Sequence, residues 1–504
     1  MISMYFVLAL AAGNGGQLIR PSDLTRPLLA SLALTISVWI IAAVITWNAQ
    51  KGALIAFLTV FAFGTFRVAY DPLDGFLAAR GEQVTFLFVE AWLLVIITFG
   101  LWRYQGDLKG ISRYLNVVTT LLAAFAAAGA VRSFGRPSVD EVTSAPAPVK
   151  VVNAMTSGSR PPDVFLIIVD KYEASRELAR NYDFDNSSFE EALQKRGFFV
   201  PQAARANYVH TMLALAAMLN LRYLEDFPKQ FGADNRDWSL SYPIIENNRF
   251  ALTLKGLGYH YIFLPTGFWP TRQSRLADEQ IPSPSMIHPE FEAAWVSTTP
   301  VRAAQRVITA ATGYAFDSLP YATESATLLD WKFRRLARMG GRPKPVFVFA
   351  HLALPHEPYL YRRDCRHRDP FWPADDRPDS VKRAYVEQIQ CLNHKLLALI
   401  DSIQSRSATP PIILIQADHG HGRFGRRGPG PMIRATPTQI AERTAVFAAY
   451  ALPGTPRSEL WDSISPVNVT RLVLRHYFAA DLPPLHDETY WSSWAFPYRF
   501  SRVN

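Results

Sequence analysis

Residues 412–422 read IILIQADHGHG, a run of apolar residues that ends in polar and charged side chains. Two other runs share this design: VFLIIV at 164–169 and PVFVFA at 345–350. Continuous apolar runs of five or six residues are typical of strands that are covered on both faces. The three runs therefore predict neighbouring strands of one buried sheet.

A helical pattern leads into the last of these strands. Across residues 381–406, apolar side chains recur at every third or fourth position, as expected for a helix that packs on a sheet. These side chains are Tyr385, Ile389, Leu392, Leu396, Leu399 and Ile403. Alternation of helices with buried strands predicts an α/β fold with a central sheet and helices on both faces.

The N-terminal quarter of the chain has a different composition. A helix needs about 20 apolar residues to span a bilayer, and four segments meet that requirement: 28–47, 52–70, 83–102 and 114–131. A further apolar segment at 5–12 is too short to span. Four such runs in succession predict a transmembrane helical domain at residues 1–131.

A Ser-, Pro- and Ala-rich stretch without apolar periodicity follows at 132–162, which predicts a linker before a soluble domain at 163–504. Lys and Arg number 52 and Asp and Glu 43, a net charge of +9 that favours anionic partners. The basic residues are scattered and form no nucleic-acid-binding motif, so we expect no nucleic-acid partner. Cys365 and Cys391 lack the spacing of a redox or zinc motif, but one disulfide between them is compatible with the sequence.

Polar side chains follow each predicted strand. Asp170, His351, Asp418 and His419 all come where an apolar run ends, and ligands of α/β sheets bind beyond the carboxyl ends of strands. Several carboxylates and imidazoles that converge at a buried edge need a compensating partner. A divalent cation would supply it: Zn²⁺ or Mn²⁺ suits Asp and His, whereas Mg²⁺ or Ca²⁺ suits an all-oxygen site.

These blocks resemble, in order, those of the alkaline phosphatase/sulfatase superfamily. The best likeness is to its membrane-anchored sulfatase-like members, among them lipoteichoic acid synthases and phosphoethanolamine transferases. The blocks are DVFLIIVDKY at 163–172, NYVHTMLALAAMLN at 207–220, FVFAHLALPHEPY at 347–359 and IILIQADHGHG at 412–422.

The resemblance implies one divalent metal ion held by Asp170, Thr211, Asp418 and His419. It also implies that Thr211 is the nucleophile and forms a covalent phospho-intermediate, because metal coordination activates a hydroxyl that is otherwise weakly nucleophilic. A cap of the following helix is the structural alternative for Thr211. The two roles are compatible, since a helix N-terminus also stabilises an anion.

Three histidines complete the predicted site. The resemblance implies that His351 and His356 contact the substrate phosphate or the leaving group, with His356 the better candidate for a catalytic proton donor. His421 and Arg423 are candidates for contacts with an anionic substrate. Purely structural roles remain the alternative for His351 and His356, and a mobile, basic loop is the alternative for His421 and Arg423.

Two departures from the family pattern limit the type of reaction and the number of metal ions that the sequence predicts. Thr211 is not part of a C/S-x-P-x-R motif, which disfavours a formylglycine sulfatase, and Lys171 follows Asp170 where sulfatases have a second aspartate. One metal ion is therefore expected rather than two.

The sequence thus predicts a multi-pass enzyme of the inner (cytoplasmic) membrane with an extracytoplasmic catalytic domain. It would transfer or hydrolyse phosphate esters of envelope lipids or glycans, with a membrane lipid and an anionic glycan or lipid as partners. The alternatives are a sulfuric ester or phosphodiester hydrolase and a non-catalytic sulfatase-like scaffold.

Overall fold

The structure is a computed structural model of the 504-residue chain. It describes residues 1–14, 21–77, 82–134, 147–151, 160–282, 290–312, 324–368, 378–422 and 435–503. The contacts divide the chain into two compact units, Met1–Arg136 with His288–Thr323 and Pro137–Ile287 with Glu324–Asn504.

The first unit is helical. Its helices are α1 (Ile2–Gly13), α2 (Pro21–Thr46), α3 (Ala49–Leu77), α4 (Glu82–Arg103), α5 (Lys109–Phe134), α11 (Glu290–Ser297) and α12 (Val301–Thr312). A small apolar core joins α1, α2, α5 and α11 through Val7, Ala11, Leu24, Ala130 and Phe291.

Four of these helices are long and apolar enough to cross a membrane: Pro21–Thr46, Ala49–Tyr70, Thr85–Arg103 and Lys109–Arg132. They contain the four segments predicted from the sequence, apart from one or two residues at some ends. Large apolar side chains on them face outward, among them Ile40, Trp92 and Phe125. Exposed apolar surface of this extent is typical of helices that face lipid, so the prediction of transmembrane helices is confirmed.

The second unit is an α/β domain. Its strands are β1 (Val164–Asp170), β2 (Phe198–Phe199), β3 (His260–Leu264), β4 (Glu279–Gln280), β5 (Val346–Pro355), β6 (Ile412–Ala417), β7 (Ala448–Ala451), β8 (Tyr490–Trp491) and β9 (Ser501–Arg502). Its α-helices are α6 (Ser175–Tyr182), α7 (Ser187–Gln194), α8 (Thr211–Leu219), α9 (Tyr242–Glu246), α10 (Arg249–Gly256), α13 (Ala326–Leu336), α14 (Pro378–Arg406), α15 (Pro437–Thr444) and α16 (Pro466–Phe478).

Seven strands form one mixed sheet in the order β2-β7-β6-β1-β5-β3-β4. The central strand β1 pairs in parallel with β5 and β6, and every residue of β1 is buried. β7 and β2 add an antiparallel edge. Helices cover both faces of this sheet, as the sequence predicts.

The three predicted strands are confirmed as β1, β5 and β6, and the predicted helix is confirmed as α14. One difference affects the site: β5 does not end at His351 but continues to Pro355, because Leu352 and Leu354 prolong its apolar pattern. His351 is therefore level with Ile168 in the register of β1, and a bulge follows before Asp170.

The domain bounds 1–131, 132–162 and 163–504 stay a prediction. Most of the predicted linker, residues 135–146 and 152–159, lies outside the described residues. The structure adds that residues 288–323, within the predicted soluble domain, group with the membrane-helix unit. There α11 packs against α2 and α12 against α4.

Candidate metal centre and active site

Three buried side chains converge at the carboxyl edge of the central strands. Asp170, His351 and Asp418 are 7%, 1% and 3% exposed, and one potential ligand atom of each lies within 4.8 Å of the others. Asp170 Oδ1, His351 Nε2 and Asp418 Oδ2 have no hydrogen-bond partner among the described residues. Buried polar atoms are seldom left unpaired in folded proteins, so this group has the chemistry of a metal site.

The backbone holds Asp418 in place. Its Oδ1 atom accepts hydrogen bonds from the backbone N–H groups of Lys171, at 3.1 Å, and His419, at 2.8 Å. Lys171 adopts a left-handed conformation (φ 65°), which turns the chain sharply after β1. The Oδ2 atom of Asp418 is thereby left to face the centre of the site.

The two carboxylates have opposite electrostatic environments. Burial raises the pKa of Asp170, but the attraction of His356 and the interactions with His351 and His419 outweigh it and hold that pKa below its usual range. Burial and the Asp170 carboxylate raise the pKa of Asp418 above its usual range. Like charges this close repel each other unless a proton or a cation neutralises them, and a divalent ion would do so for both carboxylates.

His419 presents its Nε2 atom to this group. Its Nδ1 atom lies 2.9 Å from the backbone carbonyl oxygen of Gly420, which can only accept, so Nδ1 carries the hydrogen. Burial and the Arg443 guanidinium lower the pKa of the imidazole well below its usual range. A neutral ring with a lone pair on Nε2 is the form that binds metals.

Thr211 is adjacent to that lone pair. Its Oγ1 atom lies 3.0 Å from His419 Nε2, and Thr211 is the first residue of α8. The N-cap position belongs to His210, so the alternative role of Thr211 as the cap is not the observed one. The positive end of the α8 dipole at Thr211 favours a phosphate group there.

A hydrogen bond to the ring nitrogen that faces away from the site fixes the orientation of His351. Its Nδ1 atom lies 2.9 Å from the Thr271 hydroxyl, which in turn contacts the Thr266 hydroxyl at 2.7 Å. Its Nε2 atom faces Asp170 Oδ2 at 3.7 Å. A histidine oriented through its second nitrogen in this way is arranged like a metal ligand, although the sequence suggests a substrate contact.

Arg443, at the end of α15, brings a guanidinium to the same place. It donates from Nε to the Val209 carbonyl at 2.9 Å and from Nη1 to the Gly420 and His421 carbonyls at 3.1 and 3.2 Å. Its Nη2 atom lies 3.4 Å from His419 Nε2. A guanidinium so fixed can bind phosphate oxygens.

A glycine permits this approach of α15. A Cβ atom at Gly420 would lie 1.9 Å from the Glu442 carbonyl oxygen, and Gly420 N–H donates to the Arg443 carbonyl at 2.8 Å. Any larger residue at position 420 would push Glu442 and Arg443 away from the loop that carries Asp418 and His419.

The loop after β5 carries His356, which is half-buried, and Glu357. The Nδ1 atom of His356 contacts the Glu357 backbone carbonyl, and the Glu357 carboxylate pairs with Lys171 Nζ at 3.0 Å. Gln388 of α14 fixes the loop by donating to the His356 carbonyl at 2.9 Å. His356 is therefore held near Asp170 with part of its ring open to solvent.

His421 lies away from solvent. It is 8% exposed, and its Nδ1 and Nε2 atoms contact the hydroxyls of Tyr182 and Tyr359 at 3.1 and 3.0 Å. Its predicted contact with a substrate stays a prediction, and Arg423 lies outside the described residues.

The structure thus brings Asp170, Thr211, Asp418 and His419 together and adds His351. Its carboxylate and imidazole donors include buried atoms that no described residue pairs, and they fit a divalent ion such as Zn²⁺ or Mn²⁺. Sequence reasoning missed Thr271 and Arg443. Both reach the site from segments distant in sequence, and no local motif marks either.

No protein-family model and no curated protein matches the chain. Solved structures do show similarity. The integral membrane lipooligosaccharide phosphoethanolamine transferase A of Neisseria meningitidis is 13% identical with a TM-score of 0.43, over 90% of this chain and 87% of that one.

Two further similar structures cover a smaller share of the chain. The zinc complex of the periplasmic domain of EptC from Escherichia coli is 14% identical with a TM-score of 0.43, over 71% of this chain and 96% of that one. The phosphonate monoester hydrolase of Agrobacterium radiobacter is 12% identical with a TM-score of 0.40, over 66% and 80%. Similarity at this level does not assign a function.

Proposed function

We propose that this chain is a membrane-anchored, metal-dependent phospho-group transferase of the alkaline phosphatase/sulfatase superfamily. Its donor would be an envelope phospholipid and its nucleophile Thr211. The proposal is carried by buried atoms of Asp170, His351 and Asp418 that have no hydrogen-bond partner in the part of the chain that the structure describes. They lie beside the Thr211 hydroxyl. The sequence blocks that resemble the superfamily contain these same residues.

Residues around the candidate centre suit a nucleophilic displacement at phosphorus. Asp170, Asp418 and His419, with the Thr211 hydroxyl, would hold the ion, and His351 lies within reach of it. A divalent ion bound there lowers the pKa of a coordinated hydroxyl and offsets negative charge on a phosphate.

The proposed reaction has two halves. In the first, Thr211 loses its proton to solvent, its Oγ1 atom forms a bond to phosphorus, and the bond from phosphorus to the lipid alcohol breaks. The departing alkoxide takes a proton from His356, which is partly open to solvent. Arg443 and the N-terminus of α8 would bind the phosphoryl oxygens.

In the second half, a hydroxyl of the acceptor attacks the same phosphorus, the bond to Thr211 breaks, and the Thr211 alkoxide takes a proton back from solvent. His356, now deprotonated, would accept the proton of that hydroxyl. The acceptor would be an envelope glycan or lipid. Water in its place gives hydrolysis with the same residues, so transferase and hydrolase differ only in what reaches the phosphorus.

Location in the inner membrane with the α/β domain outside the cytoplasm completes the proposal. The four apolar helices would keep the site near lipid donors. Cys365 and Cys391 form a disulfide, and disulfides persist in oxidising compartments such as the periplasm. This bond supports the proposed orientation.

The test is diacylglycerol release. Full-length protein in detergent, loaded with Zn²⁺ or Mn²⁺, is incubated with vesicles of phosphatidylethanolamine or phosphatidylglycerol. The proposal expects diacylglycerol from at least one donor and none from the Thr211→Ala variant. Equal diacylglycerol release by wild type and variant would contradict the role of Thr211. If folded, metal-loaded protein releases diacylglycerol from neither phospholipid, the proposed function is contradicted.

A further inference from the structure

A second group of metal-binding side chains lies outside the site described above. One potential ligand atom each of Glu173, His421 and Glu442 lies within 4.8 Å of the others, and all three residues are buried. We propose that Glu173, His421 and Glu442 form a second divalent-cation site, selective for Zn²⁺ or Mn²⁺. This site goes beyond the proposed function and does not depend on it.

An unpaired atom is the first observation for this site. Glu173 is 0% exposed, and its Oε2 atom has no hydrogen-bond partner among the described residues. Its Oε1 atom accepts from the Tyr182 hydroxyl at 3.0 Å. An unpaired carboxylate oxygen is costly in a protein interior, and a cation beside it would remove that cost.

Charge is the second observation. Glu173 and Glu442 are both fully buried, and burial together with the Glu442 carboxylate raises the pKa of Glu173 well above its usual range. Two carboxylates in one buried group match the charge of one divalent ion.

The surrounding hydroxyls would support an ion. Tyr182 and Tyr359 contact the two nitrogens of His421. On binding, one of these nitrogens would exchange its hydroxyl for the ion, while the other would keep its hydroxyl as an orienting hydrogen bond. The imidazole favours Zn²⁺ or Mn²⁺ over Mg²⁺ or Ca²⁺.

The two sites share chain segments but no ligand. Glu173 follows Asp170 by three residues, and His421 follows His419 by two. Glu442 reaches His421 because α15 packs closely on Gly420. Removal of a ligand from one site should therefore leave the ligands of the other in place.

The test is metal stoichiometry. Full-length protein is loaded with Zn²⁺, dialysed against metal-free buffer and analysed for zinc per chain. We expect two equivalents in the wild type, one in Glu173→Gln and one in Asp418→Asn. The matched control is Glu177→Gln, which alters another buried glutamate near Glu173 and should retain two.

The outcomes separate the two claims. A single equivalent that Asp418→Asn retains and Glu173→Gln loses would support the second site and contradict the first. Zinc content in Glu173→Gln equal to that of the wild type would overturn the second site, as expected if Glu173 and Glu442 merely share a proton. Should Glu173→Gln fail to fold, zinc-edge anomalous scattering from the wild type decides: a peak among Glu173, His421 and Glu442 supports the site, and its absence overturns it.

Discussion

The Thr211 hydroxyl oxygen lies 3.0 Å from the Nε2 atom of His419. Because the other nitrogen of His419 donates to the Gly420 carbonyl, Nε2 is an acceptor and the threonine hydroxyl is the donor. This bond holds the hydroxyl at the N-terminus of α8, beside the carboxylates of Asp170 and Asp418. The arrangement places a potential nucleophile and potential metal ligands at one point.

The first prediction concerns that hydroxyl. Thr211→Val keeps the shape of the side chain but removes the nucleophile, so diacylglycerol release should fall by roughly 10³-fold or more. Thr211→Ser keeps a hydroxyl and should retain measurable release. The melting temperatures of both variants are the control for folding. Substantial activity in a folded Thr211→Val protein would rule out a covalent intermediate at this residue.

A second prediction concerns metal removal. In the Glu173→Gln background, where the second site cannot contribute, chelation should lower the melting temperature, because Asp170 and Asp418 then repel each other without a counter-ion. An ion present at 100 times its dissociation constant stabilises the fold by about 2.7 kcal/mol. The further substitution Asp418→Asn should abolish the response to Zn²⁺. A melting temperature that chelation does not change would argue against an ion at this site.

The third prediction distinguishes two roles of His351. Thr271→Val removes the hydroxyl that contacts His351 Nδ1 and should weaken Zn²⁺ binding about 10- to 100-fold if His351 is a metal ligand. Competition with a chelator measures this affinity. Thr253→Val, at another buried threonine, is the control. An unchanged Zn²⁺ affinity with a raised KM would instead indicate that His351 contacts the substrate.

The fourth prediction concerns Arg443. Arg443→Lys keeps the charge but cannot maintain three carbonyl hydrogen bonds, and each buried group left unpaired costs about 1–3 kcal/mol. Both the melting temperature and the rate of diacylglycerol release should therefore fall. Arg457→Lys, at a mostly exposed arginine, is the control and should change neither. A normal rate in Arg443→Lys would show that the reaction does not depend on the Arg443 guanidinium.

The fifth prediction concerns the compartment of the α/β domain. Protein denatured in a thiol-alkylating reagent directly from cells should show no free thiol at Cys365 or Cys391, and two after reduction. Peptide mass spectrometry measures the modification. Free thiols at both positions in freshly quenched cells would contradict an extracytoplasmic location.

Much of the fold was predictable because its signals are local. The strands β1, β5 and β6 are continuous apolar runs, and the membrane helices are long enough to be recognised by length alone. The extension of β5 through His351 could not be predicted from the sequence, because a histidine within a strand looks like the end of an apolar run.

The features that the sequence did not predict depend on contacts between distant segments. Arg443 enters the site only because Gly420 lets α15 approach, and Thr271 reaches His351 from the loop after β3. His421 lies in a glycine-flanked stretch that resembles an exposed loop, yet Tyr182, Tyr359 and Tyr385 from three other segments pack against it. The grouping of α11 and α12 with the membrane helices likewise follows from packing and not from any pattern in their sequence.

The most direct test of the central claim is zinc-edge anomalous scattering from crystals of the full-length, Zn²⁺-loaded protein. The account predicts an anomalous peak for one zinc ion, with ligand atoms of Asp170, Thr211, Asp418 and His419 at ~2.0–2.3 Å from it. Those four side chains in the positions described here, without a peak between them under metal-replete conditions, would contradict it.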